Sequence, residues 1–375
     1  RLQLLRTAET IQQYLGRQFV VGNRRYLNFS GNDYLGLATE PAVLQAYADG
    51  ARDFGAGSTG SPLVSGQHLI HIMLSETLCD WLGLERVLLF SSGFAANQAM
   101  LQTLACKQDR LLLDKLSHAS LLDGAMHSGA RFRRFAHNDL NALQQMLAQP
   151  AVANDGSTLV VTEGVFSMDG DSPDLQAMSA LCQQYQAPLL LDDAHGLGTM
   201  GPQGQGSAPA QGVSHTALFC LMANFGKALG AAGAFIGGSK TVMDYLEQFG
   251  RHYIYSTALS PALCAAVLKS IALCRADNWR RDKLQCNIAL FRQLAADLPL
   301  LASTSAIQGL VLGSSEAALT LSSKLKAQQI WINAIRPPTV PVGSARLRIT
   351  LSAQHKEEDI RLLVQHLKQE LRQQL

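Results

Sequence analysis

The stretch Leu189-Leu190-Leu191-Asp192-Asp193-Ala194-His195 joins a short apolar run directly to acidic and histidine side chains. An apolar run of this length, bounded by polar residues, is typical of a strand that is buried on both faces of a sheet. Five further runs in the middle of the chain have the same character: Val87–Phe90, Leu111–Leu113, Leu159–Val161, Leu218–Met222 and Ala234–Ile236.

Most of these runs are separated by segments with helical spacing. One of them has apolar positions at Leu175, Met178 and Cys182 behind the cap signal Ser172-Pro173. Strands that alternate with helices predict an α/β fold with a mostly parallel central sheet flanked by helices. We predict an N-terminal arm over residues 1–45, a large domain over 46–265 and a small α+β C-terminal domain over 266–375.

The composition is that of a compact, core-rich protein, since 47% of the residues are hydrophobic and only 16% are charged. This excludes disorder as the main state. The 31 basic and 29 acidic residues give a net charge of +2, which argues against a dedicated nucleic-acid binder. The longest apolar run, residues 228–238, is shorter than the roughly 20 residues of a membrane-spanning helix. The seven cysteines lack zinc-site spacing, so we expect a cytoplasmic protein with reduced thiols.

Polar residues and glycines follow five of the predicted strands at the point where each strand ends. Ligands of open α/β sheets bind beyond the carboxyl ends of the strands, so these residues are candidates for one site. Any one set could be a helix cap or a solvated turn, whereas five sets on strand ends favour a shared site. The sets are Ser91–Phe94; Asp114, Ser117, His118 and Ser120; Thr162, Glu163 and Ser167; Asp192, Asp193 and His195; and Asn224 with Lys227.

The chemistry of these residues indicates a cofactor. Gly93 and Phe94 open an alanine-rich helix, whose free backbone N–H groups suit a phosphate. His118 could stack on a flat ring, and Asp192 could hold a cationic ring nitrogen. Lys227 lies in a glycine-rich turn that a ligand can approach closely. A lysine beside a phosphate pocket and a ring partner is the set that a pyridoxal phosphate Schiff base needs.

Six longer motifs carry a family resemblance over nearly the whole chain. They are Asn28–Gly36 (NFSGNDYLG), Ser92–Asn97 (SGFAAN), Ser117–Ser120 (SHAS), Thr162–Asp171 (TEGVFSMDGD), Asp192–Gly196 (DDAHG) and Ile335–Pro341 (IRPPTVP). By these motifs the chain resembles the α-oxoamine synthases, which are fold-type I pyridoxal phosphate-dependent transferases of the class-II aminotransferase-like group. The resemblance implies pyridoxal 5'-phosphate as the cofactor, with no metal.

The resemblance also implies a role for each matching residue of the cofactor site. Lys227 would form the Schiff base and take the substrate α-proton, Asp192 would bind the ring nitrogen, and His118 would stack on the ring. The other implied cofactor contacts are the backbone at Gly93 and Phe94, the ring-oxygen donors Ser167 and His195, and Ser256 and Thr257, which would reach the phosphate in a partner subunit.

One cofactor position departs from the family pattern. The family usually has threonine three residues before the lysine, where the hydroxyl donates to the cofactor phosphate, and this chain has Asn224. An amide can also donate a hydrogen bond, but it is longer and has a different shape. We therefore expect Asn224 to contact the phosphate with an altered geometry or affinity.

The implied substrate contacts fall near both ends of the chain. Asn32 and Arg348 would hold the carboxylate of an amino acid, and His118 would also act on the acyl substrate by stabilising its thioester oxygen. Arg6, Arg336 and Thr339 would contact the acyl chain.

Within the family, the Ile335–Thr339 stretch favours the branch that acts in biotin biosynthesis. This branch implies an acyltransferase for the decarboxylative condensation of L-alanine with a pimeloyl thioester to 8-amino-7-oxononanoate, carbon dioxide and the free thiol carrier. The carrier would be coenzyme A or an acyl carrier protein, and the protein a homodimer with shared active sites and no nucleic-acid or membrane partner. Two alternatives remain: another α-oxoamine synthase such as glycine C-acetyltransferase, and a catalytically silent structural subunit.

Two further patterns have simpler explanations. Residues 55–60 (GAGSTG) match GxGxxG, but a polar segment precedes them and Pro62 follows, so a glycine loop near the active site is favoured over a dinucleotide site. His68 and His71 are three residues apart on a predicted helix. Because no glutamate motif surrounds them, a packed or solvated histidine pair is favoured over a metal site.

Overall fold

The computed structural model describes residues 5–150 and 156–372. The strands within them are β1 (Gln13–Tyr14), β2 (Gln18–Val21), β3 (Arg24–Asn28), β4 (Arg86–Phe90), β5 (Arg110–Asp114), β6 (Arg131–Phe135), β7 (Thr158–Glu163), β8 (Leu189–Asp192), β9 (Cys220–Asn224), β10 (Ala234–Gly238), β11 (Ile307–Gly313), β12 (Ile330–Trp331), β13 (Ala334–Ile335) and β14 (Ala345–Thr350). The α-helices are α1 (Pro41–Phe54), α2 (Leu69–Leu82), α3 (Gly93–Leu104), α4 (Ala119–His127), α5 (Leu140–Leu147), α6 (Leu175–Gln184), α7 (Ser207–Ala210), α8 (Lys240–Phe249), α9 (Arg251–Ile254), α10 (Pro261–Ala276), α11 (Asn278–Leu294), α12 (Ser315–Ala327) and α13 (Glu357–Arg372).

The chain forms two compact units. Unit 1 comprises the described residues of Arg1–Thr39, Ser167–Asp171 and Asp277–Leu375. Unit 2 comprises those of Glu40–Phe166 and Ser172–Ala276. The N-terminal residues thus cluster with the C-terminal ones, whereas the boundaries expected from the sequence, 1–45, 46–265 and 266–375, remain predictions.

Unit 2 is built on a seven-stranded sheet in the order β4-β10-β9-β8-β7-β5-β6. Only β10 is antiparallel to its neighbours, β4 and β9. All five residues of β5 and all four of β8 are buried, so both faces of the sheet are covered. The register places Glu163 beside Asp192, and Asp192 beside Met222. The mostly parallel sheet is the one predicted, and its parallel strands all end at one edge.

Local differences from the sequence predictions have clear physical reasons. The edge strand β6 was not predicted, because Arg131, Arg133 and Arg134 break the apolar run where the strand faces solvent. Strand β9 begins at Cys220 rather than Leu218. Helix α6 begins at Leu175 because its cap is Asp174, whose carboxylate accepts from the Ala177 N–H at 2.9 Å, rather than Ser172.

Unit 1 contains two small sheets. In the first, β1, β2 and β3 form an antiparallel meander, and β12 adds to β3 in parallel. In the second, β14 pairs in antiparallel fashion with both β11 and β13. Helices α11, α12 and α13 pack in the same unit, and α13 buries an apolar stripe formed by Ile360, Leu363 and Leu367.

The GxGxxG stretch and the pair His68 and His71 both contact the carbonyl of Leu259. The loop Gly55–Gly60 follows helix α1 rather than a strand, and its Ser58 hydroxyl donates to the Leu259 carbonyl at 2.6 Å. The His71 ring bonds the His68 N–H through Nδ1 at 3.0 Å and the Leu259 carbonyl through Nε2 at 2.6 Å. Among residues 5–150 and 156–372, no helix is long and apolar enough to cross a membrane, and no cluster of three His, Cys, Asp or Glu side chains could hold a metal ion.

Candidate active site

A cavity of about 210 Å³ lies at the carboxyl edge of the unit 2 sheet. Seven residues to which the sequence assigns a cofactor role line it together: Gly93, Phe94, His118, Asp192, His195, Asn224 and Lys227. Ser120 and Glu163, which were candidates only as residues after predicted strands, line it as well, and so does Asn97. A larger cavity of about 370 Å³ in the same unit is lined by no lysine, so it lacks the chemistry of the first.

Asp192 is held rigidly at the end of β8. Its Oδ1 accepts from the Ala194 N–H at 3.0 Å, and its Oδ2 accepts from Asn97 Nδ2 at 2.7 Å. The side chain is buried and lines the cavity. A carboxylate fixed in this way can bind a cationic donor with a charge-assisted hydrogen bond.

The neighbouring Asp193 serves the fold instead. Its carboxylate accepts from both the hydroxyl and the backbone N–H of Ser207. A Cβ added at Gly164 or Gly196 would lie within 2.2 Å of Asp193 Oδ1, so glycines are needed for the chain to pass this close. Burial, opposed by the Ser207 hydrogen bonds, raises the pKa of Asp193 to about 7. The two adjacent acids thus have different partners: Asp192 contacts Asn97 and Ala194, whereas Asp193 contacts Ser207.

Glu163 and His118 meet across the strand ends. Glu163 Oε1 accepts from the His118 backbone N–H at 2.6 Å, which fixes the residue that caps helix α4. Burial and the nearby Asp192 raise the pKa of Glu163 well above its usual value. Burial lowers the pKa of His118, with Lys227 acting in the same direction. The cavity wall therefore favours a neutral imidazole.

The first turn of helix α3 forms another wall of the cavity. Its cap, Ser92, accepts from the Ala95 N–H at 3.2 Å, and the Gly93 and Phe94 N–H groups precede the intrahelical ladder. A Cβ at Gly93 would lie 3.5 Å from Asn224 Nδ2, so Asn224 lies alongside this turn. Backbone N–H groups at a helix start, together with a side-chain amide, are suited to an anion such as a phosphate.

These residues fit pyridoxal phosphate. Asn97 Oδ1 and Asn224 Oδ1 are buried at the cavity without a hydrogen-bond partner among the described residues. Buried polar atoms are rarely left unpaired, so their presence indicates a site shaped for a polar ligand. Gly93, Phe94 and Asn224 suit the phosphate, Asp192 the ring nitrogen, and Lys227 the aldehyde carbon.

The predicted substrate residues form two groups in unit 1. Arg348 donates from Nη1 and Nη2 to Asn32 Oδ1, both at 3.3 Å, and from Nε to the Ser167 carbonyl at 2.6 Å. Arg6 Nη2 donates to Thr339 Oγ1 at 2.8 Å. Nearby in sequence, Arg336 Nη2 lies 3.4 Å from the Leu5 carbonyl.

Three predicted cofactor residues are not among the residues that line the unit 2 cavity. Ser167 belongs to unit 1, where its carbonyl accepts from Arg348. Ser256 is half-buried and Thr257 exposed in the loop before helix α10. The hydrogen bond from the Ala258 N–H to the Gly60 carbonyl, 3.0 Å long, places this loop against the glycine loop. The roles of all three residues remain predictions.

Comparison with known proteins identifies the group to which this site belongs. Residues 24–367 match the family Aminotransferase class I and II. Serine palmitoyltransferase from S. paucimobilis, solved with a PLP-myriocin adduct, is 28% identical with a TM-score of 0.92, and the match covers 96% of this chain and 91% of that one. Serine palmitoyltransferase from Sphingomonas wittichii is 30% identical with a TM-score of 0.92, over 96% and 90% of the two chains.

A third solved structure, 8-amino-7-oxononanoate synthase from Francisella tularensis, is 30% identical with a TM-score of 0.81, and the match covers 93% of this chain and 98% of that one. These similarities confirm the predicted fold class and cofactor. The chain belongs to the aminotransferase class I and II family and is a fold-type I, pyridoxal 5'-phosphate-dependent α-oxoamine synthase.

Proposed function

We propose that this chain is an 8-amino-7-oxononanoate synthase. It would condense L-alanine with a pimeloyl thioester, releasing carbon dioxide and the free thiol carrier. The observation that carries this choice is the group Arg6, Arg336 and Thr339 in unit 1, which we call the arginine group. The similarity to the Francisella tularensis enzyme, at 30% identity, supports the same choice.

The arginine group suits a carboxylate at the far end of an acyl chain. A pimeloyl group ends in a carboxylate, whereas palmitoyl and acetyl groups end in methyl groups. Arg6 already donates to Thr339 Oγ1 at 2.8 Å, so one guanidinium and one hydroxyl are placed together. Guanidinium groups bind carboxylates in two-pronged geometry, and a methyl end would gain nothing from them.

The amino-acid end of the substrate would bind at Asn32 and Arg348. Arg348 is 9% exposed, and its guanidinium is oriented by the Asn32 amide and the Ser167 carbonyl. The buried Tyr34 hydroxyl also donates to Asn32 Oδ1 at 3.2 Å, and burial raises the pKa of Tyr34. A guanidinium held this firmly loses little entropy when it binds a carboxylate.

The residues of the unit 2 cavity would supply the proton transfers. When bound, pyridoxal phosphate supplies an electron-withdrawing ring that stabilises negative charge at the substrate α-carbon. Lys227 removes the α-proton, and Asp192 holds the proton on the ring nitrogen. His118 donates a hydrogen bond to the thioester oxygen where negative charge develops.

We also propose a homodimer in which Ser256 and Thr257 reach the partner's cofactor site. Exposed apolar side chains of unit 2 support a contact surface on and before helix α2. They are Leu63, Val64, Leu69, Ile72 and Met73. Exposed apolar side chains grouped in this way are typical of an interaction surface. Sedimentation analysis should give twice the 40.5 kDa chain mass, and a strictly monomeric protein would contradict the shared site.

A second candidate is serine palmitoyltransferase activity. The higher TM-scores of the two serine palmitoyltransferases, 0.92 against 0.81, favour it. Glycine C-acetyltransferase activity and a silent structural subunit remain further alternatives. The cavity retains Lys227, Asp192 and His195, which a silent subunit does not need.

A product assay tests the proposal. The purified protein, loaded with cofactor, is incubated with L-alanine and either pimeloyl-CoA or a pimeloyl-acyl carrier protein. We expect 8-amino-7-oxononanoate by mass spectrometry, in equal amounts with released thiol and carbon dioxide. The absence of this product from both donors, while the cofactor is visibly bound through Lys227, would reject the proposal.

A further inference from the structure

A continuous chain of hydrogen bonds joins Asp192 to the ring of His118 within unit 2. Asn97 Nδ2 donates to Asp192 Oδ2 at 2.7 Å and to Ser120 Oγ at 2.9 Å. Ser120 Oγ in turn lies 2.7 Å from His118 Nδ1. Asn97 and Ser120 are each 1% exposed, so water does not compete for these contacts. We call this chain the Asn97–Ser120 relay.

The carboxylate determines the direction of the two hydrogen bonds that Asn97 donates. Asp192 accepts only, so the Asn97 atom 2.7 Å from it must be the donor nitrogen; the flipped amide would place two acceptors together. The second hydrogen of the same nitrogen then goes to Ser120 Oγ. Because that hydroxyl accepts from Asn97, its own hydrogen is available for His118 Nδ1.

The His118 tautomer is therefore determined. Nδ1 accepts from the Ser120 hydroxyl at 2.7 Å and from the Ser120 backbone N–H at 3.2 Å. A nitrogen that accepts two hydrogen bonds carries no proton, so the single ring proton of neutral His118 lies on Nε2. The tautomer protonated on Nδ1 would set its N–H against the Ser120 backbone N–H, which can only donate, and would lose that contact.

We propose that Asn97 and Ser120 are positioning residues that fix His118 as the neutral tautomer protonated on Nε2 and orient its ring at the cavity. Neither touches the reacting atoms: both act through His118, and Asn97 also holds Asp192. The proposal rests on the proposed function only for its catalytic consequence. Its structural part concerns the protein alone. His118 thus presents a hydrogen-bond donor, Nε2–H, toward the developing oxyanion of the acyl thioester.

The charges around His118 agree with a neutral ring. Burial and Lys227 lower its pKa, while Asp192 and Asp123 raise it. Glu163 accepts from the His118 backbone N–H, and burial together with the nearby Asp192 raises the pKa of its carboxyl well above the usual value. Asp192, whose charge raises the pKa of His118, is also joined to the ring through the Asn97–Ser120 relay.

Nitrogen NMR of the full chain labelled with ¹⁵N-histidine tests the tautomer directly, before and after loading with pyridoxal phosphate. The His118→Gln variant assigns the His118 signals. We expect a protonated Nε2 and an unprotonated Nδ1 in wild type at neutral pH. A proton on Nδ1, or a doubly protonated ring, would overturn the proposal whatever substrate the protein uses.

Variants separate a positioning role from simple packing. Ser120→Ala and Asn97→Ala should each mix the His118 tautomers and lower kcat by about tenfold with little change in the KM for the amino acid, since part of a general-acid contribution is lost. Ser120→Thr keeps the hydroxyl and should restore the wild-type spectrum and kcat.

Ser270→Ala is the matched control, because Ser270 is a fully buried serine of unit 2 with no hydrogen-bond partner for Oγ among the described residues. Ser270→Ala should leave both the His118 NMR spectrum and kcat unchanged. If Ser120→Ala lowers the melting temperature but leaves the His118 spectrum unchanged, the two residues are merely structural. If that variant does not fold, the wild-type spectrum and Ser120→Thr still decide.

Discussion

The unit 2 cavity and the arginine group of unit 1 differ in how their polar side chains are held. Asp192 and Glu163 are at most 5% exposed, and each accepts at least one short hydrogen bond from a neighbouring strand end or helix. Arg6 and Thr339 are exposed, and one bond of 2.8 Å joins them. The sheet positions the polar side chains of the cavity, whereas those of the arginine group lie on two surface segments.

This difference indicates a division of labour. Groups fixed at strand ends in a buried setting hold reacting atoms and protons in place, which every member of a reaction class needs. Exposed groups on surface segments can be exchanged without disturbing the core, so they suit recognition of one acyl chain among many. Changes in the cavity should therefore lower kcat, and changes in the arginine group should raise KM for one donor.

The largest effect is expected for Lys227→Ala. Removing the base and the cofactor linkage should lower kcat by at least about 10³-fold, and the absorbance band of the lysine-linked cofactor should disappear. The exposed Lys240, which pairs with Asp244, provides the control variant Lys240→Ala with wild-type activity. If Lys227→Ala turned over at the native rate, the unit 2 cavity would not be the active site.

The adjacent acids Asp192 and Asp193 give the next test. Asp192→Asn should lower kcat by about 10²-fold or more, because the ring nitrogen loses its charged partner. Asp193→Asn should instead cost about 1–3 kcal/mol of unfolding free energy through the Ser207 contacts, with little change in the cofactor spectrum. Equal effects of both variants on the cofactor spectrum would contradict the separate roles of the two carboxylates.

A buried histidine of unit 1 should act on stability rather than on turnover. His355 is stacked on Phe29, accepts from the Ser352 N–H at 3.0 Å and bonds the Asn28 carbonyl at 3.0 Å. Burial lowers its pKa from 6.5 to about 4. Between pH 6.5 and pH 4 the unfolded chain takes up a proton on this ring while the folded chain keeps it neutral, so the full stability is present above pH 6.5 and falls as the pH drops toward 4.

The expected loss over that interval is about 3 kcal/mol, from a shift of this size at 1.36 kcal/mol per pH unit. Urea unfolding at several pH values measures it. His355→Gln should be less stable at neutral pH and show a flatter pH dependence, while the exposed His127→Gln should keep the wild-type slope. A wild-type stability that is constant from pH 7 to pH 4 would contradict the buried neutral ring.

The smallest effect is expected in the arginine group. Arg336→Ala should raise the KM for pimeloyl-CoA by about fivefold, since a partly exposed charge pair contributes about 1 kcal/mol. The KM for heptanoyl-CoA, which has the same chain length without the end carboxylate, should not change. The exposed Arg24→Ala is the matched control. Equal changes for both donors would show that Arg336 does not bind the carboxylate.

The sequence predicted the strand ends well and the supporting side chains poorly. Apolar runs followed by His118, Asp192 and Lys227 place these residues at one sheet edge, because parallel strands all end there. The role of Asn97 was missed, since it depends on a contact with Asp192 that lies 95 positions away. The available signal was its spacing of four from Gly93, which puts both on one helix face.

The sequence pattern does not specify two strands, β6 and β12. Strand β6 carries three arginines, so no apolar run marks it, and only its pairing with β5 shows that it is a strand. Likewise, β12 is two residues long and exists because it pairs with β3, some 300 positions earlier. Such elements follow from tertiary contacts, and local patterning does not specify them.

A competition assay tests the central claim most directly. The protein is given equal amounts of alanine, serine and glycine with equal amounts of pimeloyl-, palmitoyl- and acetyl-CoA, and the condensation products are separated by mass. We predict that 8-amino-7-oxononanoate dominates. A dominant product from serine and palmitoyl-CoA, or from glycine and acetyl-CoA, would contradict the account of the arginine group.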